Sequence, residues 1–266
     1  MIEPGRVPLA GLPATQSLRS FMTTQQLPPP RWLSFDCYGT LIDWQSGITG
    51  VFQEFIPPGE EVGVDVFGVW ERIQWEMLQG PYVPYMEILQ ASFERAMDTL
   101  GFRCPRYATE AFLDSVARWE PFPDVNPALI RLSQRYKLAL ISNIDRALLG
   151  GSLRRLAVRF DMLMTAEDAQ CYKPNPAILQ LALKKMDCAP QEVAHVAFGA
   201  AYDLGPAGDL GFRTVYVNRQ GLPHSKALPE TPIEAEISSL GQLLTLWESR
   251  PSASSAAVSS PGGTRP

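Results

Sequence analysis

Four polar residues in this chain have the side chains and the placement for covalent chemistry: Asp36, Ser142, Lys173 and Asp203. Each falls at or beyond the end of a short apolar run. Asp36 follows Trp32–Phe35, and Ser142 follows Lys137–Ile141. Lys173 lies beyond Phe160–Met164, and Asp203 lies beyond Val193–Phe198. A carboxylate is a weak nucleophile in water but forms a covalent ester inside a dry site. Asp36 is the candidate nucleophile. Lys173 is expected between Asp36 and Asp203. At about 4 Å and an effective dielectric near 20, one such contact is of order 4 kcal/mol, which keeps both acids ionised. Ser142 and nearby backbone amides would hold a substrate oxygen. Gly39 permits a tight turn after Asp36, and Thr40 can hydrogen-bond to it. Burying such groups unpartnered costs about 1–3 kcal/mol each, whereas these four satisfy one another.

The elements that would gather them follow from the pattern of the chain. Thr214–Val217 is a fifth apolar run. Helical spacing is read over 127–136, 147–158, 176–186 and 203–210, the last ending at Gly211. Short apolar strands alternating with helices predict an α/β fold, a Rossmann-like parallel sheet with helices on both faces. Right-handed crossovers place every strand's C-terminal end on one edge, where open sheets of this kind bind ligands. Residues 49–120 break the rhythm. They show no strand, and 69–78 and 85–100 read as amphipathic helices. This predicts an inserted helical cap domain over 49–120, with a core of 31–48 and 121–250. The aromatics Trp70, Trp75, Tyr82, Tyr85 and Phe93 are read as cap core.

Composition excludes several classes. The chain has 266 residues, 45% hydrophobic and 19% charged, which excludes wholesale disorder. A net charge of −5 with no basic run lacks the footprint of a nucleic-acid binder. No apolar stretch reaches the roughly 20 residues of a membrane span. Two histidines and four scattered cysteines form no zinc-binding spacing. Residues 1–30 lack the apolar segment of a signal peptide and read as a flexible extension, with Met22 an alternative start. Residues 251–266 are rich in Ser, Ala, Gly and Pro and read as a disordered tail. A cytoplasmic protein with reduced, mostly buried thiols is expected.

The motifs are recognisable as a set. The segment 35–44, Phe-Asp-Cys-Tyr-Gly-Thr-Leu-Ile-Asp-Trp, resembles the first motif of the haloacid dehalogenase superfamily. Ile141-Ser-Asn-Ile144 resembles the second, Tyr172-Lys-Pro-Asn-Pro176 the third, and the segment 196–203, ending at Asp203, the fourth. The resemblance implies a hydrolase that works through an aspartyl-ester intermediate on Asp36. Tyr38 stands where the family's phosphatases carry a second Asp for general acid–base work. Phe198 stands where they carry a magnesium ligand. Asp-x-Tyr-Gly-Thr, Ser-Asn and the aromatic Tyr202 before the last Asp are similar instead to the L-2-haloacid dehalogenase branch. That branch implies hydrolytic dehalogenation of a small 2-haloacid, with no metal and no cofactor. The expected ligand is a small anionic carboxylate, bound by Tyr38, Thr40, Asn143, Tyr202 and a cap arginine, Arg72. A homodimer is an expected assembly.

Three positions depart from that branch. Glu71, one residue before Arg72, aligns with its arginine. Leu179 replaces a tyrosine, and Phe198-Gly199 replaces polar side chains. The alternative reading is a phosphatase using Mg2+ held by Asp36, Asp203 and the carbonyl of Tyr38. A non-catalytic binding domain would be marked by loss of Asp36 or Lys173, and both are present. Asp43 and Asp145 read as cap or turn residues, and Asn143 is balanced between turn former and substrate donor. His195 is expected to face a neighbouring helix, and Arg219 to form a supporting ion pair. Glu71, Arg72 and Glu76 read as a solvated helix face.

Overall fold

A computed structural model describes residues 28–57, 63–221 and 232–248. Six parallel strands form one sheet in the order β3-β2-β1-β4-β5-β6. They are β1 (Trp32–Phe35), β2 (Lys137–Ser142), β3 (Met162–Thr165), β4 (Val193–Ala197), β5 (Arg213–Val217) and β6 (Ala235–Ile237). Every residue of β1, β4 and β5 is buried, as expected for parallel strands covered on both faces. Strand order reverses beside β1, between β2 and β4. A sheet of this topology opens a crevice there, beyond the strands' carboxyl ends. Asp36 is the first residue past β1. The expected extension 1–30 and tail 251–266 lie almost wholly outside the described residues.

Between β1 and β2 come α1 (Trp44–Phe55), α2 (Val66–Leu78), α3 (Tyr85–Thr99), α4 (Arg106–Ser115) and α5 (Val125–Leu132). The sequence pattern reveals α2 and α3 but not α1 and α4. Helix α1 starts at Trp44, so a boundary at 49 falls inside it. Its start is set by Asp43, whose carboxylate accepts from Ser46 N at 3.1 Å, an ordinary N-cap. Trp70 and Phe93 are fully buried in one continuous core with Leu33 and Phe35 of β1. Within it Phe93 stacks on Phe112 at 4.7 Å. The cap thus shares the core of the sheet.

Helix α3 has no cap of its own, since Pro84 precedes it. Asp145, just past β2, fills that role from the core domain. Its carboxylate accepts from Tyr85 N at 3.0 Å and Met86 N at 2.8 Å. A negative group there also complements the helix dipole. Asp145 is therefore a capping residue, but of a helix sixty positions away in the chain. Tyr172 adds a second tie, donating to the Val83 carbonyl at 2.6 Å.

The remaining helices return the chain to the sheet. They are α6 (Arg146–Leu153), α7 (Ala166–Ala169), α8 (Pro176–Met186) and α9 (Gly205–Asp209). A turn of π-helix over Ala200–Leu204 precedes α9, where a plain helix from 203 was expected. Strand β6, three residues long, was not expected at all. It pairs with β5 through Val215–Ala235 and Val217–Ile237.

Candidate active site

The turn after β1 presents Asp36. Gly39 carries φ +87°, a left-handed value that suits glycine. Thr40 Oγ1 donates to Asp36 Oδ2 at 2.9 Å and accepts from Phe198 N at 3.1 Å. Arg219 holds the same turn from β5, donating to the Thr40 carbonyl at 2.8 Å and to Asp124 at 2.6 Å. It is the supporting ion pair expected of it.

Lys173 reaches the strand ends from the loop before α8. Its ammonium donates to Asp36 Oδ1 at 2.9 Å, to Asp203 Oδ1 at 2.6 Å and to the Ile141 carbonyl at 2.9 Å. Three donors meet three acceptors, so the buried charge is fully satisfied. Asn143 fixes the loop: its side chain accepts from Lys173 N at 2.7 Å and donates to the Lys173 carbonyl at 3.0 Å. Ser142 is buried at the chamber wall. Its hydroxyl makes no hydrogen bond to another described side chain or backbone group.

The two carboxylates are not equivalent. His195 Nε2 lies 3.3 Å from Asp203 Oδ1, and its Nδ1 lies 2.9 Å from Ser34 Oγ. An ionised carboxylate only accepts, which assigns the proton to Nε2. Burial alone would raise the Asp203 carboxyl, but Lys173 and His195 outweigh it and hold the group below its ordinary value. Burial also raises Asp36. There the Lys173 charge pulls back less than burial and the Asp203 charge push, so Asp36 stands above its ordinary value. Burial opposes the charge on Lys173, and the two carboxylates more than restore it, raising its pKa. Asp36 is the more accessible acid, its side chain 8% exposed against 2% for Asp203.

A chamber of 40 Å³ lies over these groups. Its far wall is the cap: Gln74 and Leu78 from α2 and Tyr85 from α3. Gln74 Nε2 donates to Tyr85 Oη at 2.7 Å, while its Oε1 is buried with no hydrogen-bond partner among the described residues. Burial pushes the Tyr85 phenol far up, so it stays protonated. Tyr202 closes one side and packs edge-on against Trp75 at 4.3 Å.

Several expected ligand contacts take other roles. Arg72 is exposed and points away from the chamber; α2 turns Gln74 inward instead, two residues along and on the opposite face. Thr40 is fully buried behind Asp36 and serves it rather than a ligand. The Asn143 side chain braces Lys173. Tyr38 keeps its ring in the chamber wall, but its hydroxyl pairs with Ser152 Oγ at 2.8 Å, away from the opening. His195 faces Asp203, on the π-helical turn that follows β4, in keeping with the helix it was expected to face. Glu71 is half-buried beside the site, where a solvated position was expected, and burial with Asp65 nearby raises its carboxyl.

The magnesium alternative fails on the donor set. Both carboxylates are engaged by the Lys173 ammonium, and Phe198 offers a ring in place of an oxygen ligand. Among the described residues no three His, Cys, Asp or Glu side chains cluster to hold a metal.

A parallel sheet in this order, a helical insertion after β1 and a lysine-bridged acid pair at the strand ends define a Rossmann-like α/β protein with an aspartate-centred site. The chain belongs to the haloacid dehalogenase-like hydrolase family, whose model matches residues 30–200. It is 28% identical over 225 residues to (S)-2-haloacid dehalogenase 1 of Pseudomonas sp. (strain CBS-3), covering 82% of this chain and 96% of that one. It is 29% identical over 220 residues to (S)-2-haloacid dehalogenase 4A of Burkholderia cepacia, covering 80% and 92%. A crystal structure of a dehalogenase with an intermediate complex superposes with TM-score 0.71 at 28% identity, over 82% of this chain and 97% of that one. Among the described residues no helix is long and apolar enough to cross a membrane.

Proposed function

We propose that the protein hydrolyses the carbon–halogen bond of a small 2-haloacid through an ester on Asp36. The observation that carries this reading is the asymmetry of the acid pair. Asp203 is held ionised by Lys173 and His195. Asp36 is the accessible and more basic partner, and basicity favours nucleophilic attack.

Asp36 attacks C2 from the face opposite the halogen, forming an ester bond as halide leaves with the bonding pair. No proton is needed by the leaving group, so Tyr38 is not a general acid. Ser142, whose hydroxyl makes no hydrogen bond among the described residues, and neighbouring backbone amides hold the substrate carboxylate. Gln74, Tyr85 and Tyr202 supply the cap wall. Water entering near Asp203 then attacks the ester carbonyl, returning Asp36 and releasing the 2-hydroxyacid with inverted configuration. Lys173 keeps the two carboxylates from repelling each other before the ester forms and after it is cleaved.

Support comes from the family membership and from relatives named as (S)-2-haloacid dehalogenases. The test is halide release from a panel of 2-haloacids, with and without a chelator. Turnover that survives chelation and vanishes in Asp36→Ala supports the proposal. Chelator-sensitive phosphate release from an aryl phosphate, without halide release, overturns it.

A further inference from the structure

The reaction chamber shares a wall with a much larger space. One water needs roughly 10–15 Å³ of such room, so the 40 Å³ over Asp36 accommodates only a few heavy atoms. The neighbouring cavity has 460 Å³ and is lined in part by Phe67 and Phe122. Trp44, Phe198 and Tyr202 line both spaces and stand between them.

The three are not held alike. Trp44 is wedged edge-on between Phe67 at 5.3 Å and Trp70 at 5.7 Å. Tyr202 is fixed by Trp75. The Phe198 ring touches Trp44 at 6.0 Å and otherwise lies over Gly39, where a Cβ would come within 2.5 Å of it. Its backbone is pinned through Thr40 to Asp36, so removing the ring leaves the nucleophile's supports in place.

We propose that the Phe198 ring sets substrate length at this site. This rests on the dehalogenation reading above. The carboxyl group and C2 must stay over Asp36, so an alkyl substituent on C2 has to extend elsewhere. With the ring present it meets the partition, and the chamber accepts acids of two or three carbons. With the ring removed, the chamber opens into the cavity beyond, where Phe67 and Phe122 offer apolar surface to an alkyl chain beside polar groups such as Glu71 and Arg219.

The test compares kcat/KM for 2-bromopropionate and 2-bromohexanoate in the wild type, Phe198→Ala and Phe198→Leu, with melting temperatures to verify folding. The wild type should favour the shorter acid by at least about tenfold, within the range that pocket fit gives. Phe198→Ala should shift the ratio toward the longer acid by about tenfold or more, and Phe198→Leu by less. If Phe198→Ala does not fold, Phe198→Leu decides. A ratio unchanged in folded variants, or a wild type that takes both acids equally, overturns the proposal alone. No bromide release and no ester on Asp36 with either acid overturns the dehalogenation reading, and this proposal with it.

Discussion

Across the chamber, Lys173 commits all three of its donors to protein acceptors, whereas Gln74 leaves its carbonyl oxygen with none among the described residues. The sheet side has its ion pairs complete before any ligand arrives, with the Ser142 hydroxyl left to meet it. Its charges sit on strand ends and on a loop braced by Asn143. The cap side is carried on helices and presents groups that a ligand could still satisfy. The contrast separates two tasks. On the proposed reading the sheet side holds and exposes a reactive carboxylate and, through Phe198, limits ligand length, while the cap side closes over the ligand with Gln74 and Tyr85. Asp145 joins them, since one core carboxylate orders the start of the cap helix that bears Tyr85.

The contrast breaks most severely at Lys173. Lys173→Met leaves two buried carboxylates uncompensated. Removing one partner of a buried ion pair costs about 3–5 kcal/mol, so turnover should be lost and the melting temperature should fall together. Turnover near the wild-type level in a folded Lys173→Met protein would dissolve the distinction. Asp145→Ala should come next. It strips two N–H groups of a carboxylate acceptor, a loss of about 1–3 kcal/mol for buried groups. KM should rise more than kcat falls, and hydrogen exchange should quicken at Tyr85 and Met86. Equal exchange in the two proteins would show that the cap needs no such anchor.

The acid pair sharpens the comparison through pH. Asp36 is active when ionised, and its pKa is raised in the folded protein. Activity is therefore present above that pKa and lost as pH falls through it. The acid limb of kcat/KM should lie above the ordinary aspartate value of about 3.9. A limb at or below that value would contradict the asymmetry. The smallest effects belong to helix α2. Gln74→Leu should raise KM several-fold, within the roughly 1–3 kcal/mol that a buried hydrogen-bonding group is worth. Arg72→Ala, on the exposed face, should stay within about 0.5 kcal/mol in stability and keep wild-type kinetics. The reverse ranking would mean that α2 turns its other face to the ligand.

The two sides also differed in how far the sequence disclosed them. Asp36, Ser142, Lys173 and Asp203 could be placed near one another because short apolar runs mark strands and parallel topology puts their ends on one edge. Which strand neighbours which is not written in local pattern. His195 meets Ser34 only because β4 lies beside β1, so that contact is not legible in the sequence. The Thr40–Asp36 hydrogen bond is legible in the turn sequence, whereas the pairing of Asn143 with Lys173 depends on ångström-level placement of two loops. On the cap, a one-residue difference turns a helix by about 100°, enough to choose between Arg72 and Gln74. Asp145 capping α3 joins segments far apart in the chain, and β6 is too short for its own pattern to stand out.

The central claim is that an oxygen of Asp36 becomes the oxygen of the product. A single turnover with enzyme in excess over 2-bromopropionate, run in water enriched in oxygen-18, tests it directly. Water attacks the Asp36 ester carbonyl, so the label should enter the peptide that carries Asp36 and the released 2-hydroxyacid should be unlabelled at its new hydroxyl. Label in that hydroxyl with none in the Asp36 peptide would mean that water displaces the halide itself, and the covalent account would be wrong.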